Sequence, residues 1–226
     1  LPSASARRRS TTRSGGDNGL GDPDETATVR CCLMSVFSGL APWIVYWILV
    51  GNVSFRTAVL IAFGAAILVF VHTIASGGRP KVLELGSMVV FAVVTVITLA
   101  TNDHFLEQWI QPITNGGLFL IALASIVLHQ PFTLQYAREG VSAEVAAAPR
   151  FIAANYTITW VWTAAFGVMC LSSLIPPIFE GEATIHDNAS TLSITFYWVI
   201  PYGALALAVL FTERFRTRAH QTAAAS

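Results

Sequence analysis

At 226 residues, with 54% hydrophobic and only 12% charged side chains, the chain carries about half the charge typical of a soluble domain, which is near 25%. A mean hydropathy of +0.61 leaves more apolar surface than a water-soluble fold of this size can bury, so a soluble globular class is excluded. The formal net charge of +0 excludes a broad basic footprint for nucleic acid.

Residues 1–30 are rich in Ser, Thr, Gly and Arg and hold too few apolar side chains to fold alone. Their first sixteen contain Arg7, Arg8, Arg9 and Arg13 and no acid, after which come Asp17, Asp22, Asp24 and Glu25. The segment reads as a disordered cytoplasmic tail, with an organelle transit sequence as the other reading.

A membrane domain is expected over residues 31–213. Six apolar stretches lie at 33–51, 56–76, 82–101, 112–129, 152–175 and 194–212. Each approaches the ~20 residues that cross ~30 Å of hydrocarbon as a helix. Solid blocks such as Val89-Val90-Phe91-Ala92-Val93-Val94 lack the alternation of a membrane barrel strand, so the fold class is all-α, polytopic, with about six transmembrane helices. The break at residues 51–56 is short and turn-like, which makes the first two spans an antiparallel hairpin. In the longest inner connection, residues 130–151, Pro131 suits a first helical turn and Gly140 a stop. Phe132 and Tyr136 lie four apart and face the same way, predicting a short helix on the inner membrane surface with both rings at headgroup depth. Pro42 and Pro201 fall inside spans one and six and are expected to kink them. Residues 214–226 form a short basic cytoplasmic tail.

Charge sets the orientation. With both ends inside, twelve of the thirteen Lys and Arg residues fall on inner segments and Arg56 alone falls outside, a positive-inside bias that alternates only if the number of spans is even. Trp47, Trp109 and Trp198 fall near the outer boundary, where an interfacial aromatic belt belongs. The prediction is N-in/C-in.

Glu84 is the sole acid within any span, one turn from Lys81 near the inner interface. An ionisable residue there is either a functional group or an interfacial ion pair that keeps its charge at little cost. His72, Glu84, His129, Gln135, Arg138 and Asn155 form a candidate inner polar cluster, readable as a proton-linked site or as satisfied packing. Asn115, Gly116 and Gly117 are candidates for close helix packing, since small residues let backbones approach and amides bond between helices. Cys31, Cys32 and Cys170 lack metal-site spacing and read as packing residues. No Walker loop, HExxH, CxxC or nucleophile elbow appears. The sequence therefore names no catalytic, metal or cofactor site, and the expected partners are the lipid bilayer and other membrane proteins.

From about Leu40 to Arg218 the order of features resembles the intracellular septation protein A family of small bacterial inner-membrane proteins. The residues that carry it are Asn102-Asp103, Phe105, Trp109, Pro112 and Asn115 ahead of and into the fourth span, and Pro131 and Gln135 in the inner loop. Asn155, followed by Trp160, Trp162 and Phe166, matches the lead into the family's fifth helix, although Phe151 stands where a tryptophan is usual and the last outer loop is longer. The run from Pro131 to Glu139 also resembles a set of uncharacterised bacterial membrane proteins. The resemblance implies a non-enzymatic protein of the bacterial inner (plasma) membrane, tied to septation or envelope maintenance and acting through protein partners. It brings no catalytic residues with it. An organelle inner membrane is the other location, and a small proton-linked transporter or channel built on the inner polar cluster is the competing function.

Overall fold

A computed structural model describes residues 39–179 and 191–224, and of residues 103, 104, 107 and 219–224 the backbone alone. The tail at 1–30, Cys31 and Cys32 lie outside the described residues. Every described element is a helix: α1 (Gly39–Leu49), α2 (Phe55–Ala75), α3 (Val82–Ala100), α4 (Asp103–Val127), α5 (Phe132–Ala137), a 3₁₀ turn (Arg138–Gly140), α6 (Ala143–Ala147), α7 (Pro149–Phe179), α8 (Thr191–Ile194), a π turn (Thr195–Val199) and α9 (Ile200–Ala224). Five membrane-length apolar helices are present among the described residues: α2, α3, α4 from Gln108, α7, and the rod Thr191–Arg218. The first expected span, 33–51, is described only from Gly39 onward, as the short apolar α1.

Local chemistry sets the helix ends. Ser54 Oγ accepts the Thr57 amide at 3.4 Å, and Asn102 Oδ1 accepts the Phe105 amide at 2.9 Å, so α2 and α4 both start on a side-chain cap. Both also stop in the same way. Gly77 (φ 72°) and His129 (φ 57°) sit in the left-handed region. Their amides reach back to Ile74 and Ile126, and those of Gly78 and Gln130 reach Thr73 and Ser125, at 2.9–3.0 Å. That paired bonding is the Schellman stop. Glycine adopts it freely, whereas a side-chain-bearing residue such as His129 is strained there by roughly 1 kcal/mol or more.

Three helices outrun their expected bounds, and α7 does so at both ends, running Pro149–Phe179 against the expected 152–175, with Pro176 and Pro177 inside it. Helix α4 begins at Asp103, well before residue 112, so Pro112 lies inside it. The Asn102 cap nucleates those early turns, and Leu106 and Ile110 bury one face of them. The last helix continues past Phe211 through Arg214, Arg216 and Arg218 to Ala224, so residues 214–224 of the expected basic tail are helical. Upstream, Pro201 has no amide to offer, and the Ile200 amide reaches back to the Thr195 carbonyl, one residue further than in an α-helix.

Neighbouring pairs α2/α3, α3/α4, α4/α7 and α7/α9 carry the main tertiary contacts. Helix α1 fills the interior. Trp43 and Tyr46 are fully buried, the Trp43 ring lies 4.7 Å from that of Phe91, and Trp43 Nε1 donates to Ser87 Oγ at 2.7 Å. Thr114 Oγ1 donates to the Tyr46 hydroxyl at 3.4 Å, tying α1 to α4. Side chains of neighbouring helices pack directly on Gly86 and Gly117, because a Cβ on Gly86 would stand 2.6 Å from the Ile121 side chain and one on Gly117 would crowd that of Val90. The surface is the reverse of a soluble protein's: Leu68 is 71% exposed and Leu171 67%, while Ser87, Thr114, Ser125 and Ser173 are sealed inside.

Candidate functional site

The N-terminus of α3 meets the connection 130–151 at one end of the bundle. Gln135 on α5 accepts the Val82 amide at 2.9 Å through Oε1 and donates to the Gln130 carbonyl at 3.1 Å through Nε2. One side chain thus caps α3 and braces its own loop, which fixes Lys81 beside it. Lys81 Nζ lies 3.0 Å from either carboxylate oxygen of Glu139, 3.9 Å from Glu84 Oε1, and 4.3 Å from the centre of the Tyr136 ring. A single ammonium therefore serves two carboxylates and an aromatic face.

The two acids differ in setting. The Glu139 side chain is 52% exposed, whereas that of Glu84 is 1% exposed and its Oε2 has no partner among the described residues. The expected snorkelling surface pair is thus replaced by a buried carboxylate, because the connection returns over α3 and covers it. Glu84 sits in the first turn of α3, where the helix dipole favours negative charge. Tyr136 is fully buried with its hydroxyl also unpartnered. Burial first, and then the carboxylates of Glu84 and Glu139, push its phenol above the ordinary tyrosine range, so it remains a neutral potential donor. Its ring packs against Gly39, where any Cβ would collide with it.

Phe132 and Tyr136 do face the same way, as their spacing requires, but they are turned into the protein and not to headgroups. Ser125 Oγ accepts the Phe132 amide at 3.3 Å. Thr133 Oγ1 donates to the Asn155 carbonyl at 2.9 Å and lies 2.6 Å from Thr159 Oγ1, which fastens α5 to α7. Asn155 is buried, with its side-chain amide donating to the Phe151 carbonyl at 2.9 Å.

Of the six candidate polar residues, Glu84 and Gln135 come together around Lys81, and Asn155 stands in the adjoining threonine network. His72, His129 and Arg138 are exposed and make no hydrogen bond or ion pair with Glu84. His129 instead holds the strained stop of α4. Asn115 donates to the Met169 carbonyl at 3.3 Å, and a Cβ on Gly116 would stand 3.5 Å from Cys170 Sγ, both on the α4/α7 face, while Gly117 faces α3. Residues that sequence reasoning did not place in the cluster are Tyr136, Glu139, Thr133 and Thr159. Their one visible signal was the four-residue spacing of Phe132 and Tyr136. Among the described residues no three His, Cys, Asp or Glu side chains converge on a metal position.

An apolar exterior, buried serine and threonine side chains among the core residues and five membrane-length helices define an integral, polytopic helical membrane protein. No family model matches the chain, and no curated protein or solved structure matches it.

Proposed function

We propose that this protein is a non-enzymatic partner-binding scaffold of the bacterial cell envelope, set N-in/C-in in the inner membrane, with residues 131–147 as its docking platform. The observation that carries this reading is the way the platform is held. Phe132, Leu134 and Tyr136 anchor it in the bundle, and Gln135 and Glu139 pin it to α3, leaving Arg138, Val141, Glu144 and Val145 outward. A mixed apolar and charged surface on a rigid base suits protein recognition, since little ordering entropy is lost on binding. The resemblance to the intracellular septation protein A family points in the same direction and suggests a role in septation or envelope maintenance.

A photo-crosslinking residue at Val145, in the full chain in native membranes, tests the reading. Discrete protein adducts that vanish when Val141→Glu is added are expected; adducts to lipid alone would refute a protein-docking role. A second reading, proton-linked transport, draws on one observation, that an oxygen of buried Glu84 and the buried Tyr136 hydroxyl both lack a partner among the described residues. Proton-coupled flux in proteoliposomes, lost in a folded Glu84→Gln variant, would promote it over the scaffold.

A further inference from the structure

Away from the platform, α7 and α9 do not close fully on each other. Trp162 Nε1 donates to Thr212 Oγ1 at 3.2 Å, which fixes their relative depth. Beside that bond runs an open groove of about 620 Å³. Val161, Ala164 and Val168 form one wall, at the three- and four-residue spacing of a single helix face, and Ala204, Leu207 and Phe211 form the other. At one end the lining changes character, to Arg214 and Arg218. Beyond them a second hollow is lined by Glu213, Arg214, Thr217 and Arg218 alone.

We propose that this groove binds one anionic glycerophospholipid of the inner leaflet, its acyl chain between α7 and α9 and its phosphate on Arg214 and Arg218. Depth supports the assignment. From Ala204 to Arg214 is ten residues, about 15 Å of helix rise, which is half the ~30 Å hydrocarbon core and hence one leaflet. Charge supports it independently: the basic residues stand at one end only, where a headgroup would lie, and the wall below them is apolar throughout. Glu213 and Thr217 share the rim with Arg214 and Arg218. Arginine holds a phosphate with paired N–H donors, which a zwitterionic lipid's choline would oppose.

Each basic residue beside an anionic leaflet is worth about 1 kcal/mol, or roughly fivefold in affinity, so the pair predicts a preference on the order of thirtyfold. The test is native mass spectrometry of the full chain released from vesicles of phosphatidylglycerol and phosphatidylcholine in equal parts. Retention of a single phosphatidylglycerol is expected, reduced at least tenfold in Arg214→Gln/Arg218→Gln and also in Ala164→Leu, which fills the groove from an exposed position. Equal retention of both lipids, or phosphatidylglycerol retention unchanged in the double variant, would overturn the proposal. So would a dimer abolished by Ala164→Leu alone, because the groove would then hold a second copy. A thermal shift assay on each variant separates lost lipid from lost fold: a variant that has unfolded is replaced by Leu207→Trp, which is expected to block the same groove.

Discussion

Replacing Lys81 by methionine separates the two carboxylates it serves. At 3.9 Å, with an effective dielectric near 20, the attraction between Lys81 and Glu84 is about 4 kcal/mol before desolvation is charged against it. Because the Glu84 side chain is 1% exposed, removing the ammonium leaves a sealed charge without compensation, a change that typically destabilises by about 3–5 kcal/mol. Methionine keeps the stem packed on Tyr136, so the loss reports charge more than shape. We expect Lys81→Met to lower stability by about 3 kcal/mol, at the lower end because the Lys81 side chain is itself 11% exposed and some water reaches the site. Glu139→Gln removes the 52% exposed partner and is expected to lower stability by at most about 1 kcal/mol. The double variant Lys81→Met/Glu84→Gln is expected to regain most of the first loss, since neither charge is then left alone. Reversible unfolding by sodium dodecyl sulfate in mixed micelles measures all three. Equal small losses for the two single variants, or no recovery in the double, would refute the buried-carboxylate account.

In a background without the native cysteines, Asn52→Cys and Ser142→Cys are expected to label from opposite sides of sealed vesicles with an impermeant thiol reagent; same-side labelling contradicts the N-in/C-in arrangement. Gly117→Val places branched carbons against Val90 and is expected to weaken the α3/α4 contact by roughly 1–3 kcal/mol, read by the same unfolding titration. His129→Gly relieves the left-handed strain at the end of α4 and is expected to raise stability by about 1 kcal/mol. A loss in that variant would mean that the imidazole makes a stabilising contact.

The spans were legible because a run of about twenty apolar residues has one stable form in hydrocarbon. Their ends were less so. The early turns of α4 mix Asp103, Glu107 and Gln111 with Leu106 and Ile110, so a hydropathy window scores them as a loop although a cap and one buried face make them helical. At the other end of the chain, Arg214, Arg216 and Arg218 interrupt the apolar run without ending the helix, because arginine and alanine are good helix formers. The polar cluster was half legible. Glu84 stands out in any reading of the sequence, but its burial depends on a connection that returns some fifty residues later, which no local pattern encodes. Conversely, His72 stands in the last turn of α2 and His129 just past the end of α4, yet such positions say nothing of the direction in which each is turned.

The fastening of residues 131–147 also sets an order of events. Its bonds reach α3 through Gln135 and Lys81, α4 through Ser125, and α7 through Thr133 and Asn155. The first two helices precede the platform in the chain and the third follows it. During synthesis the segment therefore has only part of its seat until α7 has entered the bilayer, and until then Thr133 lacks its α7 partners. A seated segment is thus a mark of nearly complete assembly, and a chain stalled before α7 would present the loosened segment to the proteases that clear unfinished membrane proteins.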